Sequence, residues 1–299
     1  MAKGGLDIAK LAERLAQLNK GGGGGEGGMS FMDIKDGRNV ARVLPPINSK
    51  AEFALEVWVH YGVGKSANSP KGTMLVCPRT ENENAYCPVC ELSSQLKKMS
   101  SKKDDNNDKE ARQIYRKKRV YYNAIDRADD LSKYEFQQEE GKPGKWMNTE
   151  TGKPESPVKV LATGIEVYKS IIGFIIDPEY GDVTDPEEGL DIIITKTGTG
   201  QFGTKYEVKT ARKNTPVGYP DWEKAMVDLS TLAKPKTVTE IEAIMEGKTP
   251  DPKEDKSDDE GNEDDGKPVD ISDPDNGEED DTADAIAKAL ARRKANQGK

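Results

Sequence analysis

The chain has 299 residues, 33% of them charged, and its net charge of −9 comes from one segment, since residues 251–281 hold sixteen acidic residues against three lysines. Residues 1–250 are neutral as a set, so the acidic balance does not exclude a nucleic-acid-binding body. The sequence has no apolar run of the roughly 18–20 residues that cross a bilayer, no signal peptide and no even set of cysteines, which predicts a soluble protein of a reducing compartment.

The first 20 residues are predicted to form a helical arm. Apolar residues recur at helical spacing between Leu6 and Lys20, with charged side chains on the opposite face. A helix of about fifteen residues is marginal alone in water, so it needs a surface to dock on. Residues 21–29 are glycine-rich and predict a flexible linker, which lets the arm reach a neighbouring copy or fold back on its own core. The residues predicted to mediate self-association are Ile8, Leu11, Arg14, Leu15 and Leu18.

Residues 30–249 are predicted to form one mixed α+β domain in which strands dominate. Strands are predicted at Asn39–Leu44, Glu52–Val63, Val120–Ile125, Val158–Ala162, Leu190–Lys196 and Lys205–Ala211. Helices are predicted at Tyr86–Lys98, Ile165–Ile176, Asp221–Leu232 and Thr239–Glu246. The glycine-rich segment between the last two strands predicts a long β-hairpin, and short strands with interspersed helices suit a small barrel with insertions. Trp58, Trp146 and Trp222 are interpreted as packing residues.

The end of the chain divides into two segments of opposite charge. Residues 250–281 are acidic and almost free of large apolar side chains, so they are predicted to form a disordered tail. Residues 282–299 carry a net charge of +4, and Thr282–Asn296 is an alanine-rich, basic helix candidate.

The single histidine and the three cysteines are arranged as His60-x16-Cys77-x9-Cys87-x2-Cys90. One imidazole and three thiolates are a complete tetrahedral ligand set for zinc, and the last two cysteines have the CxxC spacing of a zinc knuckle. A zinc subdomain is therefore predicted at about residues 60–115. A full ligand shell indicates one structural ion, because catalytic zinc keeps an open position. The alternatives are a redox dithiol, which lacks a βαβ context here, and thiols without a shared role.

A basic segment follows the cysteines, with ten basic and four acidic residues between Lys97 and Arg119. Its densest part leads into a strand with paired tyrosines, which is typical of a single-strand-binding surface, because cations track the phosphates and aromatic rings stack on the bases. Strand alternation predicts that one tyrosine contacts nucleic acid and the other lies in the core. A solvated charge run is the alternative interpretation. The candidates are Arg116, Lys117, Lys118, Arg119, Tyr121 and Tyr122.

The predicted hairpin supplies a second candidate surface. An aromatic residue at a glycine-rich tip is poorly placed for burial, which favours contact with a ligand. The candidates at the tip and the exit of the hairpin are Phe202, Lys205, Tyr206, Arg212 and Lys213.

These features occur in the order found in the T-even-phage helix-destabilising proteins, and the chain resembles this family of single-stranded-DNA-binding proteins. The resemblance rests on the helical arm, Val43-Leu44-Pro45, the spacing of the four zinc ligands, Tyr121-Tyr122-Asn123-Ala124 and the acidic tail. It implies an OB-fold-like barrel core with an inserted zinc-binding subdomain and DNA held between the two. It also implies cooperative binding through the arm and recruitment of replication and recombination proteins through the tail.

Three features depart from the family pattern. The basic residues Arg116–Arg119 are followed by Val120 and Tyr121 rather than by serine or threonine. The arm has few basic residues, and the chain ends in a basic helix candidate rather than an acidic tip. How the arm docks between subunits and how the tail binds its partners are therefore open.

The leading hypothesis is a protein that coats single-stranded DNA cooperatively, with little sequence preference, during phage replication, recombination and repair in the cytoplasm of an infected cell. An enzyme is not expected, because the only histidine serves as a metal ligand and the sequence has no phosphate-binding GxxxxGK[ST] loop. The alternative is a zinc-ribbon adaptor that mainly recruits replication or transcription proteins.

Overall fold

The computed structural model describes residues 29–48, 51–64, 72–101, 103, 105–138, 144–198 and 203–248. Within these ranges the strands are β1 Phe31–Met32, β2 Gly37–Val43, β3 Ala54–Val63, β4 Thr73–Val76, β5 Lys117–Asp126, β6 Tyr134–Gln137, β7 Lys145–Asn148, β8 Lys153–Pro154, β9 Lys159–Gly164, β10 Ile192–Thr197 and β11 Lys205–Thr210. The α-helices are α1 Pro88–Met99, α2 Asn106–Ile114, α3 Ile165–Ile176 and α4 Val238–Met245. The described part of the chain is thus mixed α+β and mainly sheet, as predicted.

The main sheet has eight strands, and β5 is at its centre. One edge of β5 pairs with β3 and then, at its end, with β2, while the other edge pairs with β9. Beyond β2 the sheet continues through β10 to β11, and these neighbours are all antiparallel. The predicted hairpin of the last two strands is confirmed, with Ile192 opposite Thr210 and Thr197 opposite Lys205.

Helix α3 covers one face of the main sheet. It occupies the predicted range, begins after Gly164 and ends before Asp177-Pro178, because proline cannot continue a helix. Val167 and Ile171 enter a core that they share with residues from β2, β5 and β10, such as Val43, Tyr122 and Ile192. This helix, which connects β9 to β10, therefore covers the core of the main sheet with its apolar face.

A metal module, defined as β4, α1, α2 and α4, packs beside β3. Its core combines Leu75 of β4, Leu92 and Leu96 of α1, Ile114 of α2 and Ile241 of α4. Gly64, at the end of β3, approaches α4 so closely that a Cβ there would lie 2.0 Å from the carbonyl oxygen of Ile244. Helix α4 is therefore part of this module, although it lies more than 120 residues after α2 in sequence.

A sheet module, defined as β6, β7 and β8, forms a separate three-stranded antiparallel sheet. Its core is aromatic: the Trp146 ring lies 5.2 Å from the ring of Phe136 and 5.6 Å from that of Tyr219, measured between centroids. Trp222 packs against the same cluster. The interpretation of Trp146 and Trp222 as packing residues is confirmed.

One predicted helix is wrong, and several elements were not predicted. Asp221–Leu232 forms two short 3-10 helices, Trp222–Ala225 and Leu229–Ala233, instead of one α-helix. Asp221 has φ 56° and Asp228 caps the second turn with its own side chain, so the backbone is interrupted at both places. Helix α2, whose only apolar residues are Ala111 and Ile114, and the short strands of the sheet module were not predicted.

The predicted arm, linker, acidic tail and C-terminal basic helix lie outside the described residues, together with the self-association candidates. None of the helices in the described ranges has the length and apolar character needed to cross a bilayer.

Candidate metal centre and nucleic-acid interface

Three elements bring the predicted metal ligands together. His60 lies within β3, Cys77 follows β4, and Cys87 and Cys90 lie at the start of α1. Pro88 occupies the first turn of α1, where its missing N–H is not needed, and the N–H of Glu91 donates to the carbonyl of Cys87 at 3.0 Å. The helix therefore begins at a fixed point, with both cysteines of the CxxC pair on its first turn.

The donor atoms of these four residues fit a single tetrahedral ion. They all lie within 4.8 Å of one another. The distances are 3.7 Å from Cys77 Sγ to Cys90 Sγ, 3.4 Å from Cys87 Sγ to His60 Nε2 and 3.5 Å from Cys90 Sγ to His60 Nε2. A tetrahedral zinc with ordinary bond lengths separates two sulfurs by about 3.8 Å and a sulfur from a nitrogen by about 3.6 Å. Side chains from three elements of the fold thus form a cage that can bind one metal ion.

The orientation of His60 is set by its second nitrogen. His60 Nδ1 lies 2.7 Å from the carbonyl oxygen of Ile114, which can only accept, so Nδ1 carries the hydrogen and Nε2 faces the thiols. Burial alone would lower the pKa of His60, but hydrogen bonds to Cys77 and Cys87 outweigh it and raise the pKa to about 9. A ring that is 1% exposed and held in this way is oriented for a ligand role.

The thiols share their protons unequally. Hydrogen bonds from Cys77 and Cys90 lower the pKa of Cys87, whereas hydrogen bonding to Cys77 and Cys87 raises the pKa of Cys90. A cluster of this kind releases protons when a divalent cation replaces them, because metal ligands bind as thiolates and neutral imidazole.

The basic segment Arg116–Arg119 runs from the end of α2 into β5 and faces two aromatic residues of β3. The Arg116 Cζ lies 4.4 Å and the Lys118 Nζ 5.0 Å from the centroid of the Trp58 ring. The Lys117 Nζ lies 5.5 Å and the Arg119 Cζ 5.8 Å from the centroid of the Tyr61 ring. Successive cations therefore alternate between two aromatic partners, as side chains of a β-strand alternate between two faces.

Two carboxylates complete this cationic surface. Glu56 Oε2 lies 2.7 Å from Lys118 Nζ. Glu83 lies in the loop between Cys77 and Cys87, and its Oε1 is 3.9 Å from Nη2 of Arg116. Elsewhere in the wider basic region Lys97 and Arg112 pair with Asp108, whose side chain is 1% exposed. Part of the positive charge therefore stabilises the metal module, and the charge at Arg116–Arg119 borders solvent.

A comparison with family models decides the affiliation of the chain. The model described as gp32 DNA binding protein like matches residues 35–248, well over half of the sequence. The chain belongs to this family. The matched range contains the four metal ligands, the basic segment and the hairpin, and it ends with α4. The resemblance drawn from the sequence is thereby confirmed, and a comparison with curated proteins found no match.

The two tyrosines of the family-like motif are both buried, at 1% exposure for Tyr121 and 0% for Tyr122. Tyr121 packs with Val57 and Leu229 on one face of β5, and Tyr122 packs on the other face beneath α3. The expectation that one of these rings is exposed to a base is wrong, because both faces of this central strand are covered.

The hairpin candidates are not brought together with Arg116–Arg119, since β10 and β2 separate β11 from β5. Lys205 is exposed at the start of β11 and Arg212 is exposed after its end, so the two lie roughly 20 Å apart along the strand. Lys213 is exposed beside Arg212, whereas Tyr206 is half-buried and packs against the main core. Phe202 lies outside the described residues.

Several residues of this surface were not singled out from the sequence. Trp58 and Tyr61 were missed as partners of the cations, because a cross-strand neighbour is set by the pairing register, which one sequence does not specify. Tyr115, which is 57% exposed and immediately precedes Arg116, is an accessible aromatic ring in the basic segment. The sequence shows that Tyr115 is next to the basic residues, but its exposure follows only from the fold.

Proposed function

We propose that this protein binds single-stranded DNA through the basic segment Arg116–Arg119 and the exposed ring of Tyr115 that precedes it. The observation that carries the proposal is that all four basic side chains of this segment lie against aromatic rings of β3, with Trp58 on one face and Tyr61 on the other, next to the metal ligands. Positive charge tracks a phosphate backbone and an accessible ring offers a stacking platform, and both are largely independent of base identity. Membership of a DNA-binding family supports the same conclusion.

The proposed framework for this activity is an OB-type barrel. Its support is the strand order β11–β10–β2–β5–β9, five antiparallel neighbours with α3 between the third and fourth in the chain. OB-folds bind oligonucleotides on strands 2 and 3 and with the loops between strands 1 and 2 and strands 4 and 5. In this chain β5 and β9 correspond to strands 2 and 3 of such a barrel. The connection from β2 to β5 carries the metal ligands and the basic segment, and the hairpin tip supplies the other loop.

We infer that the metal is one structural zinc ion held by His60, Cys77, Cys87 and Cys90. Three thiolates and one imidazole are typical of tetrahedral zinc, and a shell of four protein ligands leaves no position for a substrate. The ion would add cross-links to a small module and no reaction step. The proposed activity is therefore binding and not catalysis.

Four further parts of the proposal rest on the family resemblance and the sequence. The arm of residues 1–20 would bind neighbouring copies and make the coating of DNA cooperative. The acidic tail of residues 250–281 would compete with DNA for the basic surface and bind replication and recombination proteins when DNA displaces it. The protein would act in phage DNA replication, recombination and repair, in the cytoplasm of the infected cell.

The proposal is tested by titrating the full chain, with its zinc content measured, against poly-dT and duplex DNA at several salt concentrations. We expect a clear preference for the single strand, with log–log salt dependence of about −0.7 per phosphate contact. A preference for duplex DNA would contradict the proposal.

Deletion of residues 251–299 separates DNA binding from the adaptor hypothesis. A protein that primarily binds DNA should hold poly-dT as tightly as before or more tightly, because the removed segment is strongly acidic between Asp251 and Asp281. An adaptor should bind poly-dT weakly in both forms and lose its protein partners with the tail.

A further inference from the structure

The ring of Trp58 lies against two cations, Arg116 just before β5 and Lys118 within it. Lys118 is its direct partner in the β3–β5 ladder, and Arg116 lies two residues away from Lys118, on the same side of the ladder. The ring centroid is 4.4 Å from the guanidinium carbon of Arg116 and 5.0 Å from Nζ of Lys118. Both distances are within the range in which a cation is attracted to the face of an indole.

The position of this ring is fixed by the metal module. The N–H of Trp58 donates to Oγ1 of Thr80 at 3.0 Å, and its carbonyl accepts from the N–H of Cys77 at 2.7 Å. The half-buried indole packs against the core of the metal module. The ring therefore has a defined place between the metal ligands and the basic segment.

The two cations are ordered from a second side by carboxylates. Lys118 meets Glu56, and Arg116 approaches Glu83 while its Nη1 has no hydrogen-bond partner among the described residues. The side chains of Arg116 and Lys118 are only 14% and 29% exposed. Two long side chains that would otherwise sample many rotamers are thus restricted before any ligand binds.

We propose that Trp58 is a positioning residue that holds Arg116 and Lys118 ready to contact two phosphates of one nucleic-acid strand. This inference rests on the proposed single-strand binding and names its ligand, the phosphodiester backbone. The cations occupy the face of the indole, so a base that stacked on Trp58 would have to displace them. Trp58 therefore acts through the cations, and its contribution depends on salt and not on the bases.

The first test measures binding of Trp58→Leu and Trp58→Phe to a dT oligonucleotide at several salt concentrations. We expect Trp58→Leu to weaken binding about five- to thirtyfold, which corresponds to the loss of two cation–π contacts. Its salt slope should fall by up to about 1.4, the value for two phosphate contacts on a single strand. Trp58→Phe keeps an aromatic face and should lose less. The matched control is Trp222→Leu, which removes another half-buried tryptophan outside this surface and should leave the slope unchanged.

A double-mutant cycle separates positioning from direct contact. In an Arg116→Ala, Lys118→Ala background, Trp58→Leu should cause less than about a twofold further loss, because the groups through which it acts are gone. The loss caused by Trp58→Leu alone should be the same for dT and for an abasic oligonucleotide of equal length. Full additivity in the cycle, or a loss confined to strands with bases, would overturn the inference.

Fluorinated tryptophans incorporated at position 58 keep the test valid if Trp58→Leu does not fold. They preserve the shape of the ring and withdraw electron density from its face, so affinity should fall stepwise with each added fluorine. Thermal unfolding and zinc content identify variants that have lost their fold. A wild-type protein without single-strand preference would refute the proposed function itself, whereas unchanged binding by well-folded fluorinated and leucine variants would refute only the role of Trp58.

Discussion

The metal module and the sheet module both flank the main sheet, and they are held by different interactions. The four ligands of the metal module join β3, the end of β4 and the start of α1. Helix α2 and helix α4, which arrives from the far end of the described chain, complete the module by packing. The sheet module relies on rings packed around Trp146 and on a half-buried carboxylate just before it in the chain, Asp129, which contacts Lys133, Lys159 and Tyr134. One module therefore depends on the supply of an ion, and the other depends on packing and on pH.

Removal of the metal, by chelation or by Cys87→Ser, should change the protein most. Structural zinc contributes on the order of 10–16 kcal/mol to the folding of small modules, so α1 and α2 should lose their structure. Binding to poly-dT should fall with them, because Trp58 and Arg116 are positioned by this module. Circular dichroism and hydrogen exchange would detect the change, and protection of the sheet module should persist. Re-addition of zinc to the chelated wild type is the control; a helical signal and affinity that survive chelation would contradict the dependence.

The next effect is expected for Trp146→Ala in the sheet module. Replacing a buried tryptophan by alanine typically costs about 3–5 kcal/mol, and Trp146 is 9% exposed with two aromatic neighbours. Denaturant unfolding should show this loss while the zinc content stays unchanged. Trp222→Ala, at the half-buried edge of the same cluster, should cost less. A fall in zinc content on Trp146→Ala would mean that the two modules are not independent.

A smaller effect is expected for Asp129→Asn. Burial opposes ionisation of Asp129, but hydrogen bonds from Lys133, Lys159 and Tyr134 outweigh it and lower its pKa from 3.8 to about 2. A carboxyl whose pKa is lowered on folding stabilises the protein above its unfolded pKa and loses that contribution as the pH falls through the folded value. The wild type should therefore lose about 2 kcal/mol between pH 5 and pH 2 through this group.

The measurement is urea unfolding of the wild type and of Asp129→Asn across this pH range. The variant should be less stable at neutral pH, and the difference should shrink as the pH approaches 2. Glu150→Gln is a control, because Glu150 is an exposed acid of the same module. A constant difference at every pH would show that the loss comes from packing and not from the charge of Asp129.

The smallest effect is expected for Thr237→Ala at the start of α4. Thr237 and Glu240 form a capping box, with Oγ1 of Thr237 accepting from the N–H of Glu240 and the Glu240 carboxylate accepting from the N–H of Thr237. Loss of such a cap costs about 1 kcal/mol. Since Ile241 and Met245 of α4 lie in the core of the metal module, the cost should appear as weaker zinc retention in chelator competition. Thr237→Ser keeps the hydroxyl and should retain zinc like the wild type.

The sequence was sufficient for features that depend on local pattern or on residue count. The apolar run of α3 is bounded by Gly164 and Pro178, so its limits were readable. The ligand set followed from chemistry, because one histidine and three cysteines have few other uses together. The structure brings the donor atoms of these four side chains within 4.8 Å of one another.

Features that depend on contacts between residues distant in sequence could not be predicted from the sequence. Tyr121 and Tyr122 were expected to differ in exposure, but packing by Leu229 on one side and by α3 on the other buries both. The roles of Trp58 and Ile241 likewise follow from strand register and helix docking. Periodicity specifies which faces a strand has, and only the fold determines whether each face is covered.

Strand β5 has one further property that follows from its pairing on both edges. Arg116 and Lys118 meet Trp58, Lys117 and Arg119 meet Tyr61, and the tyrosines beyond them enter opposite cores. Inserting or deleting one residue between Arg119 and Val120 would exchange the faces of every side chain before that point, while the composition of the segment stayed almost the same. The count of residues, as much as their identity, therefore decides where this protein presents its positive charge.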